Sequence, residues 1–151
     1  MTASNNAVLV GYDDSPAAGR ALVRAIAEAR ESGAKLVVVA VEELPLDPTG
    51  LQNFGSLDYS PPDATALGPP ADIQGVLARA RTVIEAANLD AEYVWAAGSA
   101  ATTIVDAARD NGAGLIVLGE HHHSFLGRVF GSDVGAEVER RAGGARVISV
   151  P

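Results

Sequence analysis

Cysteine is absent from the 151 residues, which removes disulfides, thiolate zinc sites and thiol catalysis together and suits a reducing compartment. Lysine is almost absent too. Lys35 is the only one, and the formal net charge is −8. No basic face is available to gather the phosphates of DNA or RNA, so nucleic-acid partners are not expected. No window approaches the run of about 20 apolar residues that a membrane helix requires. The polar start, Met1 to Asn6, carries no basic region followed by an apolar stretch, so a signal peptide is not expected either. A cytoplasmic protein without a membrane partner is the expectation. Several sharp motifs are also missing: the Gly-Lys-Ser/Thr of a Walker loop, the Gly-x-Ser-x-Gly nucleophile elbow and the two-histidine zinc helix.

What is present is a chain of globular composition, 48% hydrophobic and 20% charged, of a length that suits one domain over residues 1–151. Ala7 to Tyr12 (AVLVGY) reads as a buried strand that runs into a helix start at Asp13-Asp14-Ser15-Pro16. Ser15 is placed as N-cap and Pro16 at the first helical position, where its missing N–H costs nothing. The helix continues through Ala21, Leu22, Ala25, Ile26 and Ala29 and stops at Gly33. Lys35 to Glu42 is a continuous apolar run, the pattern of a strand covered on both faces. From Glu43 to about Pro70, six prolines and several glycines break every periodicity, and a mobile flap is expected there.

Ile73, Leu77, Ala80, Val83, Ile84 and Ala87 predict one face of a helix from about Asp72 to Ala87, closed by Asn88. Ala91 to Ala97 is a third strand, Gly98-Ser99 a turn and cap, and Ala100 to Asp110 a third helix packing through Ile104, Val105 and Ala108. Gly114 to Gly119 is a fourth strand. Ser132 caps a last helix to about Arg141, and Arg146 to Val150 is a fifth strand. Strands alternating with helices predict parallel crossovers and helices on both sides of one doubly wound α/β sheet. In such sheets ligands sit beyond the carboxyl ends of the strands, where strand order reverses. Function is therefore to be sought after residues 12, 41, 97 and 119.

Two readings of Asp13 stand side by side: a carboxylate that meets a ligand or Mg²⁺, or a helix-capping acid; for Asp14 capping is favoured. The loop from Gly119 to Ser132, with further glycines at Gly127 and Gly131, leads from a strand end to a helix start, an arrangement that offers backbone N–H groups to an anion. Glycines in such loops also serve turn geometry alone. Arg128 is the only cation near this loop, since Lys35 opens its strand at the opposite end of the sheet. His121, His122 and His123 are adjacent and point different ways, with no distant ligand to complete a tetrahedral set, so an exposed polar loop accounts for them better than a metal site.

Val8 to Ser15 (VLVGYDDS), Gly98-Ser99-Ala100 with Ile104, Ala113 to Gly119 (AGLIVLG) and Gly127 to Ser132 (GRVFGS) occur in the order seen in the universal stress protein family, which the chain resembles over nearly its whole length. The resemblance implies a five-stranded parallel sheet of order 3-2-1-4-5 and a homodimer paired through the last strand. It also implies a site for ATP or another adenine nucleotide in one branch of the family, and none in another. In the binding branch Asp13 would lie at the ribose and phosphates with Mg²⁺, backbone around Val41 would receive the adenine, and Gly119, Gly127, Arg128, Gly131 and Ser132 would hold ribose and phosphates. The sequence departs from that pattern at His122, which replaces a glycine, in an interval to Gly131 that is one residue short, and at Asp133, whose carboxylate repels a phosphate. No general base for hydrolysis stands out, so no catalytic residue is assigned, enzymatic activity is not expected, and ATP hydrolysis, if any, would be slow. A dimeric, adenine-nucleotide-binding regulator is the leading reading. A nucleotide-free interaction module is the alternative, and a third class, a transferase that activates its substrate with ATP, is disfavoured by the missing phosphate-loop signatures.

Overall fold

The structure, a computed structural model, describes residues 7–42, 71–98, 100–120 and 134–151. Their elements follow in the order β1 (Ala7–Gly11), α1 (Pro16–Ser32), β2 (Lys35–Glu42), α2 (Ala71–Ala86), β3 (Ala91–Ala97), α3 (Ala100–Asn111), β4 (Ala113–Gly119), α4 (Val134–Arg141) and β5 (Arg146–Val150). All strand pairs are parallel, and the sheet runs β3-β2-β1-β4-β5. The expected α/β fold and strand order are those observed.

The two faces of the sheet are covered by different helix pairs, as alternate residues of each strand require. Val8, Val10, Leu36, Val38 and Val117 point to the side of α1 and α2, against Ala21, Leu22, Ala25, Ala80 and Ile84. Leu9, Val37, Val39, Ile116 and Leu118 point to the other side, against Ala101, Ile104, Val105 and Ala108 of α3 and Val138 of α4. Leu9 and Ile116 are fully buried, each contributing about 1.5–3 kcal/mol in removed apolar surface. Because both faces are covered, the open edges of the layer lie at the strand ends.

Local sequence explains the boundaries. Ser15 Oγ accepts the Ala18 N–H at 3.1 Å, Pro16 opens α1, and Gly33 closes it at φ 69°, a left-handed conformation costly for any residue with a Cβ. Asn88 takes the same region at φ 57° after α2. One expectation fails in α2: Val83 is exposed, at 40%. Val76, Leu77 and Ala87 are partly buried and pack against the core on the α1 side. With about 100° per residue, Val83 lies at the margin of the stripe centred on Ile73, Ala80 and Ile84, beyond the width one neighbouring sheet can cover.

Candidate functional site

β1 sits at the middle of the sheet, with β2 on one side and β4 on the other. The chain after β1 goes one way to β2 and later returns to lay β4 on the opposite flank. The carboxyl ends of β1 and β4 therefore form the switch point of the fold, the place where a crevice opens in doubly wound sheets. Asp13, Val41 and Gly119 all lie at this edge of the sheet: Asp13 follows β1, Val41 is the second-last residue of β2, and Gly119 ends β4. Val41 is in register with Ala96 of β3, and Gly119 with Val150 of β5. Gly127, Arg128, Gly131 and Ser132 lie outside the described residues, as do His121 to His123, Asp133, Ser99 and the segment 43–70.

The start of α1 is built from short polar contacts. The Ser15 N–H donates to Asp13 Oδ1 at 3.0 Å, so this carboxylate organises the helix entrance while standing at the carboxyl edge of the sheet. Both readings of Asp13 thus draw on one position. Asp14 does not cap the helix. It takes φ 65°, accepts the Tyr12 hydroxyl on Oδ1 at 3.1 Å, and meets Arg79 of α2 with Oδ2 at 2.6 Å from Nε. The capping expectation for Asp14 fails because its left-handed backbone turns the carboxylate toward Tyr12 and α2. Tyr12 itself is 7% exposed, and burial, reinforced by the hydrogen bond to Asp14, raises its phenol above the ordinary tyrosine range. Its backbone N–H donates to Val39 O at 2.9 Å, which carries the β1–β2 ladder one residue past the end of β1.

Gly119 has a packing requirement of its own. A Cβ there would stand 2.5 Å from the carbonyl carbon of Ala17 and 2.7 Å from the Ala18 nitrogen, so β4 ends directly against the first turn of α1. The next residue, Glu120, donates its N–H to Val150 O at 2.7 Å. Lys35 lies at the amino edge, in register with Ala7 and paired with Glu92 at 2.8 Å, so it stands at the opposite end of the sheet from Asp13, Val41 and Gly119, as expected. Arg79 is the cation that the sequence did not place here. It is far from Asp14 along the chain and lies on an exposed helix flank, and no local pattern marks it.

An open groove of about 640 Å³ lies between β3 and α3 and is lined by Val94, Ala96, Thr102, Asp106 and Asp110 among others. It includes none of Asp13, Val41 and Gly119. Among the described residues no group of three His, Cys, Asp or Glu side chains could hold a metal ion, and no helix is long and apolar enough to cross a membrane.

Among curated proteins no sequence match was found. Solved structures do match. A universal stress protein in complex with cAMP is 27% identical, with 95% of each chain covered and a TM-score of 0.67. The universal stress protein UspA from Lactobacillus plantarum is 21% identical, covering 97% of this chain and 98% of its own, with a TM-score of 0.63. A universal stress protein from Archaeoglobus fulgidus in complex with dAMP is 23% identical, covering 95% of this chain and 96% of its own, with a TM-score of 0.58. The last two speak for the fold alone. The model of the universal stress protein family matches residues 5–143, and with strand order and these neighbours in agreement the chain belongs to the universal stress protein family.

Proposed function

We propose that this chain binds an adenine nucleotide at the carboxyl edge of β1, β2 and β4 and acts as a regulatory protein rather than an enzyme, working as a homodimer through β5. The observation that carries the reading is the position of Asp13 and Val41 at one edge of the switch point, in a fold shared with a 27% identical relative in complex with cAMP. Asp13 supplies an acceptor for ribose hydroxyls, and Val41 an apolar wall and backbone groups for the adenine. Gly119 starts the loop whose later residues Gly127, Arg128, Gly131 and Ser132 are assigned to ribose and phosphates. If ATP is the ligand, Mg²⁺ would be held by Asp13 together with phosphate oxygens, the usual arrangement for a cation that keeps much of its water.

Calorimetric titration with cAMP, AMP and ATP, together with mass and absorbance near 260 nm of gently purified protein, tests this. Binding of at least one nucleotide is expected, weakest for ATP, whose added charge would meet the Asp13 carboxylate and that of Asp133, which immediately precedes α4 in the sequence. One observation favours a second reading, a nucleotide-free interaction module: Gly119 is demanded by its contact with Ala17 and Ala18 whether or not a ligand is present. No binding of any of the three nucleotides and no retained ligand would establish that module.

A further inference from the structure

The turn after β1 is held more firmly than a helix start requires. At φ 65° Asp14 occupies a region that costs free energy for any residue with a Cβ and persists only where its surroundings hold it. Here the two carboxylate oxygens are held from different elements. Tyr12, rooted in the sheet, donates to Oδ1, and Arg79, from the middle of α2, pairs with Oδ2. Asp13 shares a peptide with Asp14, and its own carboxylate takes the Ser15 N–H. If Asp14 left the left-handed region, that peptide would swing and the Asp13 carboxylate with it.

We infer that Arg79 is a positioning residue for nucleotide binding: through its ion pair with Asp14 it fixes the left-handed turn that aims Asp13 at the ribose. This rests on the function proposed above and adds to it a residue of α2, an element outside every family motif in the chain. Arg79 is 57% exposed in its side chain, and an exposed ion pair adds little to global stability, so its effect belongs in the affinity of the site and not in the melting temperature. The guanidinium acts through Asp14 and not on the ligand. An effect carried by Asp13 on the ribose is felt by every ligand with a free ribose hydroxyl, whether or not it carries a phosphate: equally by adenosine and AMP, which keep two, and by cAMP through its single 2′ hydroxyl.

Dissociation constants for adenosine, AMP and cAMP, measured by calorimetry on the full chain, decide the matter. Arg79→Gln is expected to weaken adenosine and AMP by a common factor of about two to five, the range of an exposed ion pair, and cAMP by no more than that, with little change in the thermal midpoint, and Arg79→Lys to retain most of the affinity. Adding Asp14→Gly to Arg79→Gln should restore binding in large part, because glycine adopts the left-handed turn without a tether. Affinities unchanged by Arg79→Gln would overturn the inference while leaving the nucleotide reading intact. So would loss confined to AMP and cAMP with adenosine spared, since Arg79 would then be a phosphate ligand, and so would a double variant no better than Arg79→Gln. Failure of the parent chain to bind any of the three is a different result: it removes the nucleotide reading, and the positioning role with it.

Discussion

Two glycines show how differently one missing Cβ is used. At Gly119 the added atom would strike backbone, 2.5 Å from the Ala17 carbonyl carbon, and backbone of a helix's first turn cannot yield without moving α1. At Gly11 the nearest atom is the Leu118 Cδ2 at 2.9 Å, the end of a side chain that can change rotamer. Gly119→Ala is therefore expected to cost about 1–3 kcal/mol, the range of overpacking, and Gly11→Ala less, as read from urea unfolding of the two variants. Equal costs would show that β4 and α1 can separate freely. Tyr12 provides a pH test. Its phenol is raised in the folded state by burial and by Asp14, so the folded chain holds that proton more tightly than the unfolded one. The linked stability is complete below the ordinary tyrosine pKa of about 10 and is lost as pH rises through the higher folded value. Absorbance titration should show late ionisation of Tyr12, and Asp14→Asn should bring it to lower pH.

At the scale of elements, α2 is where expectation and structure part. Ile84 is fully buried, whereas Val83 beside it is 40% exposed. Val83→Ala is expected to change stability by no more than about 0.5 kcal/mol, and Ile84→Ala to cost about 2–5 kcal/mol; thermal or urea unfolding separates them, and a large loss at Val83 would place that residue against the core. The alternation of strands and helices was legible because β1, β4 and the body of β2 are unbroken apolar runs and helices are stripes bounded by a capping residue or a glycine, as with Ser15 and Gly33. Those are local signals. The width of the buried stripe was less legible, because apolar chemistry alone does not tell a valine at its margin, such as Val83, from one that packs against the core. The pair of Asp14 and Arg79 was not legible at all: tertiary packing brings together two side chains that no short-range pattern connects. Asp13, Val41 and Gly119 were placed at the carboxyl edge of the sheet by their position at or just after strand ends, which parallel topology converts directly into nearness. What was missed at Gly119 is that its contact with α1 is reason enough for a glycine.

For the whole molecule, the strand order leaves β5 at one edge of the sheet and β3 at the other, and the proposed dimer joins β5 to its copy across a two-fold axis. Arg146 is the only charged residue in β5, so little on that strand guards an edge whose N–H and C=O groups would otherwise invite pairing. Which of those groups face outward follows from one hydrogen bond. Val150 O accepts the Glu120 N–H, so Val150 turns its backbone toward β4, and the alternation of an extended strand turns that of Ser149 away from it. Ser149→Pro consequently removes an N–H that β4 does not use, while the missing donor and the ring obstruct a strand arriving from outside. The net charge of −8 on each copy opposes association at long range, and salt screens that repulsion within about 10 Å at 0.1 M. Sedimentation at micromolar concentration is therefore expected to show a dimer that tightens as salt is raised from low concentration, and a folded monomer for Ser149→Pro at every salt concentration. A dimer that Ser149→Pro leaves intact would move the interface away from β5. A parent chain that remains monomeric in moderate salt would remove the dimer from the proposed mechanism, and any regulatory signal would then have to pass from the nucleotide edge through a single copy.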